Sequence, residues 1–266
     1  MLILLLLIAP LATGLLMNRY IETEKRRELR ILMEAKYRHE YKYICDAVQS
    51  SIIKMRANGL LALDKNACEN GYYNIRSLYF DTLDNRCYYE NEMGVDNRSK
   101  FRVRIYDHCM EKILLEKKSK CRQMTLKKSC FISKSDCEKL MNQEKIEITD
   151  DMTSVQRELL TELQIQNMRP VVIVEYDRVP FINASGNVRV TFDENIRSSN
   201  DVRNFLEEDI QTRPIMEKGK SILEIKWDEF LPSYIKEHLQ TECLQWSSFS
   251  KYYLCRKYNT YGGIKL

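Results

Sequence analysis

The sequence predicts an α+β chain organised around an antiparallel barrel with a charged interior and helices on its outside. Two observations predict it. Between Asn97 and Ser129 the chain reads as three consecutive strand-like runs, each with charged or polar residues at alternate positions and a largely apolar opposite face. The same alternation returns far downstream in VVIVEYDR, NVRVTFDENIR and SILEIKW. Any one such run fits an ordinary sheet that turns its polar face to water. Here the other face is apolar enough to need covering by helices, so the repeated charges have to point inward. A closed barrel satisfies both faces and removes exposed edges.

A first strand is expected over Ala35 to Tyr43. A helix follows from about Asp46 to Ala57, its apolar spacing including Ala47, Val48, Ile52 and Ile53. Tyr72 to Asp81 reads as a strong strand ending in a turn at Asp81 and Thr82, where Tyr79, Phe80 and Asp81 are packing and turn residues. A short helix from about Asp84 to Glu92 stops at Gly94, which suits a left-handed cap. In the basic runs, Arg102 and Arg104 share one face and Phe101, Val103 and Ile105 the other. Glu116, Lys118 and Lys120 form the next polar face. Thr125, Lys127 and Ser129 form the third, opposite Leu126. Ser133 or Ser135 caps a helix to about Met141, and a second runs from about Ser154 to Gln164. Further strands fall near 170–180, 187–197 and 220–228. Their charged faces are Glu175 and Asp177 in the first, Arg189 and Asp193 in the second, and Glu224 and Lys226 in the third. Helices at about Pro232 to Leu239 and Phe249 to Tyr258 end the pattern.

The chain of 266 residues, 44% hydrophobic and 30% charged, has no Pro/Gly/Ser-rich linker and no internal repeat, so residues 33–266 read as one domain. A net charge of +4 combined with local Lys/Arg clustering suits a confined anionic ligand better than a long nucleic-acid track, and few aromatics lie on the inward faces for base stacking along a strand. Nine scattered cysteines without a CxxC pair exclude a zinc motif and point to small buried hydrophobes in a reducing, cytoplasmic compartment. His39, His108 and His238 adjoin no nucleophile motif. The first sixteen residues are apolar but short for a membrane span and lack a basic stretch ahead of them. They read as a marginal membrane anchor, as an atypical signal, or as part of a 1–32 extension outside the fold, with the protein starting at Met33. The last is the expectation, because the patterned sequence begins there.

The runs IRSLYFDT, KFRVRIY, LEKKSK, TLKKS, NVRVTFD, LEIKW and FSKY, in this order over about residues 34–260, resemble the VTC domain in its stand-alone bacterial-type form. This is the catalytic domain of the vacuolar transporter chaperone polyphosphate polymerases, within the triphosphate tunnel metalloenzymes. The resemblance implies an eight-stranded antiparallel tunnel ringed by helices. It also implies transfer of the γ-phosphoryl group of ATP to a growing inorganic polyphosphate chain, with Mn²⁺ or Mg²⁺. Carried over by position, Lys42, Arg102, Arg104, Lys118, Lys127, Arg189, Lys226, Ser250 and Lys251 are the implied phosphate contacts. Arg102, Arg104, Lys118, Lys127, Arg189 and Lys251 carry the transfer, and Glu224 holds the metal.

The residue types suit that chemistry. Phosphoryl transfer asks the protein mainly for positioning and for neutralising a triphosphate's roughly four negative charges. Arginine forks grip phosphate oxygens while lysines act as mobile point charges. The first strand departs from the hydrolase and cyclase branches of that superfamily: Arg38-His39-Glu40-Tyr41-Lys42 carries arginine where they carry a first metal-binding carboxylate. Glu40 either reaches the metal or pairs with Arg38 or Lys42. Triphosphate hydrolysis and non-catalytic polyphosphate binding are the alternative functions. Loss of Arg102 or Lys127 is expected to cost ligand affinity and little stability, because like charges crowd an empty tunnel.

Overall fold

A computed structural model describes residues 38–67, 70–121 and 124–261. The apolar segment 1–16, the start at Met33 and a strand beginning at Ala35 fall outside the described residues. Among the described residues no helix is long and apolar enough to cross a membrane.

Eight antiparallel strands make up the sheet: β1 (His39–Cys45), β3 (Tyr73–Asp81), β4 (Arg98–Tyr106), β5 (Ile113–Cys121), β6 (Met124–Ile132), β7 (Arg169–Asn183), β8 (Val188–Ser199) and β10 (Ser221–Trp227). They lie in the order β1, β10, β8, β7, β3, β4, β5, β6, with β2 (Ala62–Leu63) added to β7 and β9 (Arg213–Pro214) added to β8. The sheet curls until its outermost strands meet. Arg38 and Thr125 exchange both backbone hydrogen bonds, at 3.0 and 3.1 Å. This is the tunnel architecture expected, in the form of a half-barrel joined at one bridge. Along the remaining edge of β1, Tyr43 is bridged to Trp246, and the Ser247 N–H donates to the Lys42 carbonyl at 2.9 Å.

Alternation divides each strand between two environments. On the convex side Phe101, Val103, Ile105 and Leu115 are fully buried with Leu159, Leu160 and Leu163 of helix α4 (Ser154–Ile165), which lies against β5 and β6. On the other flank Leu223, Ile225, Val190 and Phe192 pack with Ile53 and Ala57 of α1 (Ala47–Leu60) and with Ile235 and Leu239 of α5 (Ser233–Leu239). With its convex side covered in this way, the sheet directs its charges into the concave side.

In β7 the inward phase is the opposite of the one expected. Ser77 of β3, whose hydroxyl accepts from the Arg104 guanidinium at 3.1 Å, sits opposite Val174, and Ile75 sits opposite Tyr176. Tyr176 and Arg178 therefore face inward, and Glu175 and Asp177 face out. Glu175 binds the fully buried Arg76 at 2.7 Å and Arg197 at 2.6 Å on the convex side, and Arg76 donates onward to the carbonyls of Phe205, Glu207 and Glu208. The run carries charge on both phases, and pairing with β3 decides between them.

Local signals account for most helix starts. Asp46 and Gln49 form a reciprocal capping box on α1, Ser133 caps α3 (Lys134–Met141), and Thr153 caps α4. Gly94, at φ +70°, follows α2 (Arg86–Glu92) as expected. The start of α2 is different, because Asn85 sits at φ 56° and makes no side-chain cap. Asp81, fully buried at the end of β3, substitutes. Its carboxylate accepts from the backbone N–H groups of Thr82 and Cys87, both at 2.8 Å, and of Tyr88 at 3.2 Å, and from the hydroxyl of Tyr252. Tyr252 belongs to α6 (Lys251–Tyr261), which packs on β7, β8 and α2, so one carboxylate joins a strand end to two helices.

Replacing Asp81 with alanine leaves these donors unmatched and is expected to lower stability by about 3 kcal/mol or more. A urea midpoint shift measures it, and an unchanged midpoint would contradict this account of the α2–α6 joint.

Candidate functional site

The concave side of the sheet is a cleft of about 1140 Å³, open to solvent. Ten basic side chains line it: Lys42 (β1), Arg98, Lys100, Arg102 and Arg104 (β4), Lys118 and Lys120 (β5), Arg178 (β7), Lys226 (β10) and Lys251 (α6). Glu40 and Glu224 are the acidic lining residues. Glu116 and Asp193, each with no solvent exposure, stand behind the cations. Basic groups outnumber these four carboxylates by six, which exceeds the roughly four charges of a triphosphate.

The carboxylates hold seven of these cations in two groups, one around Glu116 and one in which Asp193, Glu224 and Glu40 share partners. Glu116 binds Arg102 at 2.6 Å, Lys127 at 2.9 Å and Arg104 at 3.7 Å. Burial works to raise its pKa, and these three cations hold it well below the usual carboxylate range. Asp193 takes a two-pronged contact from Arg178 at 2.6 and 2.7 Å and the Lys251 ammonium at 2.5 Å. Glu224 meets Lys251 at 3.1 Å, Arg178 at 3.4 Å, Lys42 at 3.5 Å and also Lys226. Against burial, these partners keep it well below the ordinary range. Glu40 meets Lys118 at 2.9 Å, Lys226 at 3.4 Å and Lys42 at 3.7 Å. Arg38 pairs instead with Asp228.

Lys118 keeps 32% of its side chain exposed, yet its ammonium lies in the crowded wall of the cleft. Burial, followed by the charges of Lys42 and Lys226, outweighs Glu40 and pushes it down to about 8. Lys100 contacts no carboxylate among the described residues. It donates to Ser250 Oγ at 2.9 Å and to Asn91, and it sits 5.1 Å over the Tyr252 ring; burial and then Arg98, Lys42 and Lys118 hold its pKa well below the ordinary lysine value.

Of the residues carried over from the sequence, Lys42, Arg102, Arg104, Lys118, Lys226, Ser250, Lys251 and Glu224 come together in this cleft. Lys127 joins it through Glu116, with 51% of its side chain exposed. Arg189 does not line it. Although it is the ladder partner of Lys226, its guanidinium turns to Asp64 at 3.1 Å. Arg178, eleven positions earlier, occupies the interior instead, and the sequence reading missed it by following the wrong phase of VVIVEYDR. Lys100 was legible by period two from Arg102 and Arg104. Tyr79 is more than packing, since its hydroxyl accepts from Arg102 at 3.0 Å at the cleft wall. His39 stacks on Trp227, His108 lies 3.8 Å from Glu175, and His238 meets the Arg56 carbonyl; none of the three lines the cleft. The expectation that Arg102 is dispensable for stability also changes: it is the nearest counter-ion of a fully buried glutamate, whereas Lys127 is half exposed.

Among the described residues no group of three or more His, Cys, Asp or Glu side chains forms a metal cage. Glu40 and Glu224 nevertheless flank the same two ammonium groups, Lys42 and Lys226, and present hard oxygen donors to the cleft. One or two carboxylates completed by phosphate oxygens is the donor set Mg²⁺ ordinarily takes, so these residues fit a cation that arrives with its phosphate ligand.

The VTC domain family model matches residues 37–259. No curated protein matches the sequence. Among solved structures, the Hippeastrum protein HpAC1, described as an adenylyl cyclase candidate with a dominant triphosphatase activity, aligns at a TM-score of 0.51 and 14% identity, covering 84% of this chain and 95% of its own. A candidate adenylate cyclase from Bacillus halodurans gives 0.43 at 14% identity, over 76% and 87% of the two chains. The Mimivirus capping enzyme triphosphatase gives 0.38 at 9% identity, over 83% and 95%. The likeness to the Hippeastrum structure shows a common fold. The family match runs from the first described strand into the last helix, over a sheet of the tunnel type, and the chain belongs to the VTC domain family.

Proposed function

We propose that this protein is a polyphosphate polymerase that moves the γ-phosphoryl group of ATP onto an inorganic polyphosphate chain in its basic cleft. The observation that carries the reading is the convergence of ten cations on one cleft in a member of the VTC domain family. Fixed positive groups around a linear anion supply what phosphoryl transfer needs most, alignment and charge neutralisation, without a protein nucleophile. Arg102 and Arg104 are held by Glu116 and tyrosine hydroxyls, Arg178 by Asp193 and Glu224, and all three present rigid forks. Lys42, Lys118, Lys226 and Lys251 share their carboxylates with one another and can turn to a phosphate oxygen as it arrives. Ser250 offers a hydroxyl at the start of α6. Glu224, with Glu40, would hold a divalent cation, Mn²⁺ or Mg²⁺, which when bound draws charge from the phosphate oxygens. A cytoplasmic setting belongs to the same proposal, and residues 1–16 would add a membrane attachment only in a chain that starts at Met1 rather than Met33.

A second reading is hydrolysis of the triphosphate by water, favoured by the paired carboxylates Glu40 and Glu224 and by the triphosphatase activity described for the Hippeastrum protein. Products separate the two. Incubation with ATP and Mn²⁺ is expected to yield long phosphate chains on a gel, whereas release of orthophosphate alone would favour hydrolysis. Glu224→Gln is expected to retain nucleotide binding and lose turnover by at least a hundredfold.

Arg178→Ala is expected to weaken tripolyphosphate binding more than tenfold by calorimetry, and Arg189→Ala by less than twofold; the reverse order would put the wrong arginine in the interior. Affinity also depends on pH through Lys118. Its pKa in the empty protein is depressed to about 8, so its charge is present below that value and lost as pH rises through it. Affinity for ATP is expected to fall several-fold between pH 7 and pH 9. Lys118→Arg, which stays charged, is expected to flatten that fall.

A further inference from the structure

The cleft lining contains five aromatic residues, and four are shut away from solvent: Tyr79 at 8% exposure, Phe249 at 7%, Tyr176 at 3% and Tyr252 at 2%. Trp246 is the exception at 58%, and its ring has no aromatic partner among the described residues. The other tryptophan, Trp227, is 7% exposed and packed between His39 and Tyr41. A flat apolar ring left open at the edge of a strongly basic cleft contributes nothing to phosphate binding, which the neighbouring cations already serve. Its backbone is nonetheless fixed. Trp246 is bridged to Tyr43, and the next residue, Ser247, donates its N–H to the carbonyl of Lys42, whose own ammonium lies between Glu40 and Glu224. The residue therefore stands at a set position beside the basic cluster, 58% exposed.

We propose that Trp246 is the platform on which the base of a nucleoside triphosphate stacks while its phosphates occupy the basic cleft. This rests on the triphosphate reading above and deepens it by naming the part of the ligand that inorganic polyphosphate lacks. Stacking accepts any base and favours the larger purine face. The tryptophan then separates the two ligands of one cleft: the nucleotide donor uses both the cations and the ring, and the phosphate chain uses the cations alone.

The test compares ATP, CTP and inorganic tripolyphosphate by calorimetry with Mg²⁺ present, on the full chain and on Trp246→Ala and Trp246→Phe. The alanine variant is expected to bind ATP about 5- to 150-fold more weakly, the range that stacking of one base is worth, and tripolyphosphate within twofold of the parent. The phenylalanine variant is expected to restore most of the ATP affinity, and the parent to favour ATP over CTP. Adenine should also quench tryptophan emission in the parent but not in Trp246→Phe, where the buried Trp227 remains as an internal control. If the parent binds both ATP and tripolyphosphate and the alanine substitution weakens both equally or neither, the base platform is overturned while the triphosphate reading stands. If the parent binds neither ligand, the triphosphate reading falls and takes this inference with it.

Discussion

Ten cations can share the inside of one curled sheet only because carboxylates stand among them. Each unpaired charge carried into a protein interior costs several kcal/mol, and like charges at these separations add to that cost. Glu116, Asp193, Glu224 and Glu40 offset it for seven of the ten, Lys42, Arg102, Arg104, Lys118, Arg178, Lys226 and Lys251, each carboxylate meeting two to four cations. The clusters leave a net positive cleft, so an anionic ligand finds groups already oriented. Binding then exchanges one set of oxygen partners for another and does not have to create order in a disordered lining.

The same constraint organises the outside. Charges inward mean apolar side chains outward, and these are covered by α4 over β5 and β6 and by α1 and α5 over β1, β8 and β10. The helix α6 does a different job. It begins at Lys251, whose ammonium lies between Asp193 and Glu224, and its Tyr252 reaches Asp81 at the end of β3. Removal of that helix would strip the cleft of one cation and the Asp81 carboxylate of its link from the β3–α2 corner to Tyr252. Folding and ligand binding thus share a small set of buried ionic contacts.

Separate parts of the lining are built for different tasks. The Glu116 cluster is arginine-rich and hydrogen-bonded to Tyr79, Ser77, Tyr106 and Tyr176, which fixes its forks. The cluster around Glu40 and Glu224 is rich in lysines that share partners, and burial with the neighbouring ammonium groups pushes the Lys118 pKa down. Lys100 donates to two neutral partners, Asn91 and Ser250. The lining thus combines fixed arginine forks with lysines that share their carboxylates.

Much of this was legible in the sequence. Period-two alternation is a property of a single strand, so the pairing of Arg102 with Arg104, of Glu116 with Lys118 and of Glu224 with Lys226 on common faces needed no fold to be seen. Helix caps at Asp46, Ser133 and Thr153 are likewise local, because the side chain and the backbone N–H it satisfies lie within a turn of each other. Alternation alone does not say which of a strand's two faces becomes the interior. In β7, with Glu175 and Asp177 on one phase and Arg178 on the other, only the register against β3 chose the arginine. Arg189 shares a face with Thr191 and Asp193, yet its position near the strand end let it turn to Asp64. Asp81 caps a helix from outside that helix's own sequence window, and Trp246 lies in a segment without any periodic pattern. The sequence by itself determined which residues could share a wall; the curl of the sheet decided which wall faces the ligand, because that choice depends on contacts between residues far apart in the chain.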